Sequence, residues 1–322
     1  NGGNTDGGES KVSLNVSVPD ADNSYIYAAA QEFKSRVEEY SNGSIELTIY
    51  PNGSLYGGDG NAAISSVGNG SLDIVILAAS LYASFDPSFF VLSVPYLFDD
   101  AQQLQDYLNS DTGVDLFNRV ESMGITCLGR WTRSFRQVTN NKRPITQPSD
   151  LEGLTLRTPS NSLYVEFFDA CGANVNPMNF SEVYNALQLN TLDGQENPVD
   201  LPATNNFYEV QKYITMTDHV FTCDQVLADL AWYNGLSDAD RAMIDEVMQD
   251  AYQWQKEAYQ ADLKNLEDKF TNEYGLTITY LDDSVKAEMA EKMIPATKAE
   301  IVKVCGQEIY DKVQGYVEAT RA

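Results

Sequence analysis

The chain predicts an α/β protein built as two lobes around a cleft. Three observations carry this expectation. Period-two apolar runs alternate with helical-period segments, the pattern of sheets covered by helices on both faces. A length of 322 residues exceeds what one hydrophobic core usually organises and points to two domains. A late segment reads as one uninterrupted helix of about 36 residues, about 54 Å long at the standard rise, which is too long for a single small lobe.

The elements follow in order. Asn1 to Ser10 is rich in Gly, Asn, Asp and Ser and reads as a flexible leader that cannot bury apolar area. Lys11 to Pro19 places Val12, Leu14, Val16 and Val18 on one face, a strand. Ser24 to Tyr40 carries Ala28, Ala29, Phe33 and Val37 at helical spacing, and Asn42-Gly43 ends that helix. Ile45 to Tyr50 is a second strand stopped by Pro51, and a Gly-rich loop at 57–60 opens a helix ending near Asn69. Leu72 to Leu77 is an apolar buried strand. Further on, 125–131, 136–140, 155–158 and 218–223 read as strands, and 160–170 and 181–189 as helices. Ser237 offers an N-cap with Asp240 three residues on, and the long helix follows from Asp238 to about Glu273.

Composition excludes several functions. Lys and Arg total 21 against 47 Asp and Glu, a formal net charge of −26. Nucleic-acid binding needs clustered positive charge, so it is not expected. No apolar run is long enough to span a membrane as a helix. A single histidine, His219, leaves no histidine-based metal cluster, and its apolar neighbours Val220 and Phe221 suit a structural role. Neither a nucleophile elbow, a phosphate-binding lysine loop nor a metalloprotease helix is present. No catalytic residues, metal or cofactor are therefore expected. The four cysteines (Cys127, Cys171, Cys223, Cys305) fit no zinc or redox spacing. Free thiols and disulfides stay open, as do the three possible pairings.

Against that silence stand two arginines. Arg136 lies in Phe135-Arg-Gln-Val-Thr-Asn140 and Arg157 in Asp150-Leu-Glu-Gly-Leu-Thr-Leu-Arg-Thr-Pro159. A guanidinium is a planar fork that grips a carboxylate through two parallel hydrogen bonds. Downstream runs Pro177-Met-Asn-Phe-Ser-Glu-Val-Tyr-Asn-Ala-Leu-Gln188, then Asp193-Gly-Gln-Glu-Asn-Pro198. Together with Val94-Pro-Tyr-Leu-Phe98 and Asn206-Phe-Tyr-Glu-Val-Gln-Lys-Tyr213, these segments resemble the extracytoplasmic solute-binding proteins of tripartite ATP-independent periplasmic (TRAP) transporters. The similarity covers nearly the whole chain from Lys11.

The resemblance implies a periplasmic-binding-protein-like fold, each lobe a mostly parallel sheet flanked by helices, with the long helix spanning both. The expected division is 11–133 plus 222–262 for the first domain and 134–221 plus 263–322 for the second. It implies that Arg157, Arg136 and Asn197 hold a ligand carboxylate, that Phe180 packs on the ligand body, and that Tyr184 and Gln195 line or brace the site. Asp193, Gly194 and Glu196 are expected to shape the turn and hinge. First-domain contacts are sought at Asp20, Asp22, Asn23, Ala78, Asp229 and Trp232. Sialic-acid receptors of the family carry acids where this chain has Gly60 and Ala78, so a smaller organic acid is expected: a uronate, an aldonate, or a hydroxy or keto acid. The implied partners are a small organic anion and the subunits of a TRAP membrane permease, with the receptor acting as an extracytoplasmic monomer. A Gly-rich polar leader suits a lipoprotein tether. A lyase or isomerase using the same cleft, or an ABC-type receptor, are the alternatives; the arginine and Gln-Glu-Asn-Pro segments favour the TRAP class.

Overall fold

The computed structural model describes residues 11–321; the leader read at 1–10 lies outside the described residues. Ten strands form among the described residues: β1 (Val12–Ser17), β2 (Ile45–Tyr50), β3 (Ile74–Ala78), β4 (Ile125–Asn140), β5 (Thr155–Thr158), β6 (Asn174–Pro177), β7 (Gly194–Pro198), β8 (Tyr213–Met216), β9 (Phe221–Asp229) and β10 (Thr277–Tyr280). The order β2-β1-β3-β9-β4 makes a first sheet, and β4-β7-β5-β6, extended by β8 and β10, makes a second. The pairs β1/β2, β1/β3, β5/β6, β5/β7 and β8/β10 are parallel. Every pair that involves β4 or β9 is antiparallel. Each sheet therefore has a parallel body of the kind that helical crossovers build, joined at a seam of antiparallel strands.

That seam positions the site. The sequence separates strands at 125–131 and 136–140, but the chain makes one strand, β4, across all sixteen residues. Its first part pairs with β9 and its last part with β7 and β8. Register shifts fall between Cys127 and Gly129 and between Thr132 and Phe135. Such irregularities bend a strand and re-aim its side chains, which is how β4 leaves one sheet for the other without ending. The strand expected at 218–223 starts at Phe221 instead, because Asp218 holds a left-handed φ of +49° that no strand continues through.

The long helix runs Asp238–Asn272, with the Ser237 hydroxyl accepting from the Asp240 amide. Its Ile244, Val247, Met248, Ala251 and Tyr252 pack in a core with Val16, Phe33 and Trp131. Its Leu266 and Phe270 pack in another with Ile214, Met216 and Leu276. One stiff helix thus braces both sheets. The division that gives all of 263–322 to the second domain fails for the C-terminal helix Gln307–Thr320. Its Tyr310, Val313 and Val317 are buried with Phe89, Leu104 and Phe117, on the side of the first sheet. Burying that apolar face outweighs continuity along the chain. All four cysteines are free thiols. The glycine of the Asp-Gly-Gln-Glu-Asn-Pro segment is required by packing. A Cβ on Gly194 would lie 2.1 Å from the Thr139 carbonyl oxygen, so only glycine lets β7 pair this closely with β4.

Candidate ligand-binding site

A cleft enclosing about 720 Å³, mouth included, opens between the two sheets. The first sheet and its loops contribute Asp20, Tyr56, Gly60, Ala78, Arg133, Thr222 and Asp224. The second contributes Arg136, Arg157, Met178, Phe180 and Asn197.

Arg157 sits on β5 and is 3 % exposed. Its Nε and one terminal nitrogen donate to the Met178 carbonyl at 3.0 and 2.7 Å. Its guanidinium lies 5.8 Å from the Phe180 ring, within cation–π range. No carboxylate among the described residues pairs with it within 4 Å. Burial pushes its pKa down to about 9, with Glu196 opposing and Arg136 adding to the fall, so it remains cationic at neutral pH. A buried cation held by one carbonyl and a ring is under-compensated, and an anion entering the cleft would satisfy it.

Arg136 is placed differently from the expectation. It faces the cleft, but the Nε–Nη2 edge of its fork is already occupied. Nε and a terminal nitrogen donate to the two Glu196 carboxylate oxygens, and the same terminal nitrogen donates to Asn197 Oδ1 at 3.0 Å. Its charge is also stacked 5.3 Å from the Tyr164 ring. Burial alone would lower its pKa; Glu196 outweighs that and raises it. Glu196 in turn accepts from His219 Nε2 at 3.0 Å, and Nδ1 of that ring lies 2.8 Å from the Thr217 hydroxyl. His219 is fully buried, and burial lowers its pKa, so the neutral ring donates from Nε2 and accepts at Nδ1. Burial pushes the Glu196 carboxyl up, but Arg136 and His219 prevail and hold it below the usual range. Glu196, expected only to shape the turn, is the counter-ion of Arg136. Arg136 therefore commits its Nε–Nη2 edge to Glu196 and to positioning Asn197, and only its Nη1 carries no partner among the described residues.

Asn197 lines the cleft, with its amide donating to Gln195 Oε1 at 2.7 Å. Gln195 does not line it. It is fully buried and continues a chain through the Thr139 hydroxyl to Gln211, so it braces Asn197. Phe180 and Ala78 are on the cleft wall as expected, and so is Asp20. Five other residues are not. The Asp22 and Asn23 side chains are exposed in the turn before Ser24 caps the first helix. Asp229 caps the next helix by accepting from the Trp232 amide. Trp232 packs on the first-sheet core with Tyr233 and Leu236. Tyr184 lies in a side groove, its hydroxyl 2.5 Å from Glu209, and lines no part of the main cleft.

The sequence reading passed over Arg133. It is buried, with Asp200 Oδ2 at 2.6 Å, Asp20 Oδ2 at 3.2 Å and Asp224 Oδ2 at 3.5 Å. Residues three apart on a regular strand face opposite ways, so Arg133 and Arg136 are not expected on one wall. The register shift between Thr132 and Phe135 turns both into the cleft. No local motif signals such a shift.

The rim brings the two sides into contact. Gly58, at φ +75°, stands so close to Ser181 that a Cβ there would lie 2.3 Å from its Oγ. Gly58→Val is expected to hold this edge open and weaken ligand binding about tenfold or more, since overpacking costs about 1–3 kcal/mol. Titration calorimetry would show it, and the unliganded melting temperature should fall as well, because a β-branched residue at φ +75° strains the loop.

An α/β molecule with a buried, under-compensated arginine in a cleft between two sheets is built as a solute receptor. The family model described as bacterial extracellular solute-binding protein, family 7, matches residues 16–303. The chain belongs to that family, the solute-binding proteins of TRAP transporters. It is 31% identical over 256 residues to the 2,3-diketo-L-gulonate-binding periplasmic protein YiaO of Escherichia coli, spanning 80% of this chain and 77% of that one. It is 32% identical over 276 residues to the sialic acid-binding periplasmic protein SiaP of Vibrio cholerae, spanning 84% and 83%. The crystal structure of the sugar acid binding protein DctPAm from Advenella mimigardefordensis, in complex with galactonate, superposes with a TM-score of 0.91 at 28% identity, covering 97% of this chain and 99% of that one. Family members are substrate-binding receptors of transporters. Among the described residues no helix is long and apolar enough to cross a membrane, and no acidic, cysteine or histidine group is arranged to hold a metal ion.

Proposed function

We propose that this protein captures a small organic acid outside the cytoplasm and delivers it to a TRAP membrane permease. Arg157 receives the carboxylate, Asn197 and Phe180 complete its surroundings, and the lobes close over the ligand. The observation that carries the reading is the buried guanidinium of Arg157, which lacks a carboxylate partner among the described residues. The ligand class is a uronate, an aldonate, or a hydroxy or keto acid, in keeping with what the names of the relatives say they bind. Those relatives are periplasmic, which supports an extracytoplasmic site of action. The chain acts as a receptor and not as an enzyme.

A thermal-shift screen tests this with small carboxylates, each paired with its neutral amide. A receptor at about 100 times the ligand's dissociation constant gains about 2.7 kcal/mol of stability. One acid should raise the melting temperature while its amide does not. Equal shifts for acid and amide, or turnover of the bound acid, would overturn the reading.

A further inference from the structure

The first-sheet wall of the cleft has a composition that the carboxylate grip does not use. One guanidinium, Arg133, is surrounded by three carboxylates, Asp20, Asp200 and Asp224, all buried. One positive charge against three negative leaves a surplus of acceptors. The Arg133–Asp20 pair is close at 3.2 Å but not aligned as a hydrogen bond, so Asp20 Oδ2 keeps no partner among the described residues. Tyr56 Oη and Thr222 Oγ1 are likewise unpartnered. All three atoms belong to cleft-lining side chains exposed by no more than 9 %. Buried polar atoms are nearly always hydrogen-bonded, so a cluster of unpaired ones on a ligand cleft marks where a ligand's polar groups go.

We infer that this wall selects the ligand: Asp20, Asp224, Tyr56 and Thr222 take the hydroxyl groups of a polyhydroxy monocarboxylate, and the surplus negative charge rejects a dicarboxylate. The inference rests on the reading of Arg157 as the carboxylate grip. A second carboxylate at this wall would meet Asp20 and Asp224, with both terminal nitrogens of Arg133 already facing acids, and like charges in a site poor in water repel strongly. Hydroxyls can donate to the same oxygens without adding charge. The wall is already strained for charge, since burial raises the Asp20 pKa and raises that of Asp224 to about 6 against the pull of Arg133. A site built this way discriminates by repulsion as well as by attraction.

The test is titration calorimetry of the full chain with matched acids of four to six carbons. At each length an aldonate is compared with the unbranched dicarboxylate and the unsubstituted fatty acid. The best aldonate should bind at least about tenfold tighter than either counterpart of its length. Asp224→Asn and Asp20→Asn, which remove charge and keep shape, should narrow the aldonate-to-dicarboxylate ratio by a similar factor. Thr222→Val perturbs folding least and should cost the aldonate about threefold to tenfold, one hydrogen bond's worth, while leaving the fatty acid unchanged. A dicarboxylate that binds as well as the aldonate, or a ratio that all three variants leave untouched, overturns the inference. Binding without discrimination overturns it alone, whereas no binding by any acid overturns the Arg157 reading with it.

Discussion

Arg157→Ala is expected to lower affinity for the captured acid by about 2–5 kcal/mol, a factor of about 30 to several thousand. The reason lies in what Arg157 lacks. Its donors reach one carbonyl, its ring partner is Phe180, and no carboxylate among the described residues neutralises it. Its charge is therefore available to a ligand in a cleft where charge-assisted bonds are strong. Unliganded stability should change little or rise, because the substitution removes a buried and poorly compensated charge. Arg157→Lys should recover only part of the binding, since a point charge cannot form the two-pronged contact. Calorimetric titration with the acid found by screening decides the matter. Binding by Arg157→Ala within about threefold of the wild type would remove Arg157 from the site.

How far this could be read from the sequence depends on the kind of information each residue carries. Arg157, Phe180 and Asn197 were legible because they sit inside contiguous segments whose order is distinctive, and the structure brings all three to one cleft. The long helix was legible from its cap and from an uninterrupted apolar stripe. Arg136 was legible as a cleft residue but not in its role. The pairing with Glu196 depends on β4 and β7 lying side by side, Arg136 opposite Pro198 and Val138 opposite Glu196, a contact sixty residues apart in the chain. Arg133 was hidden by a register shift that breaks the two-residue period. Asp22, Asn23 and Trp232 stand near wall residues in sequence, but a turn and a cap direct them elsewhere. The strands β6, β8 and β10 have four residues each, as does β5, too few to show alternation on their own; β5 was legible through the segment around Arg157. Local order thus revealed the second-sheet wall and, on the first sheet, Asp20 and Ala78, whereas only tertiary contact revealed Arg133 with its acids Asp200 and Asp224.

Glu196→Ala is expected to destabilise the fold by about 3–5 kcal/mol, the typical cost of stranding a buried charge by removing its partner. Arg136 would keep a buried guanidinium with only Asn197 and the residue 196 carbonyl to accept from it. His219 Nε2 would lose its acceptor as well. Removing both ions should cost less than removing Glu196 alone: Arg136→Met with Glu196→Leu leaves no orphan charge, and the double-mutant cycle should show a large coupling. The pair's own contribution to the pH dependence follows from its two shifted groups. Glu196 titrates below its ordinary 4.5 and His219 below its ordinary 6.5, so at these two sites the folded state binds fewer protons than the unfolded one. This contribution is present at neutral pH, begins to fall below about 6.5, where the unfolded histidine protonates, and falls further below about 4.5. Asp20 and Asp224, whose pKa burial raises, act with the opposite sign in wild type and variant alike, so the pair's contribution is read from the difference between the two. In Glu196→Ala the lower of these two declines should be shallower, because that carboxylate is gone. Urea denaturation of the wild type and both variants between pH 7 and pH 4 measures all of this. If Glu196→Ala matches the wild type at pH 7, the ion pair is not what holds β7 against β4, and Asn197 is positioned by backbone pairing alone.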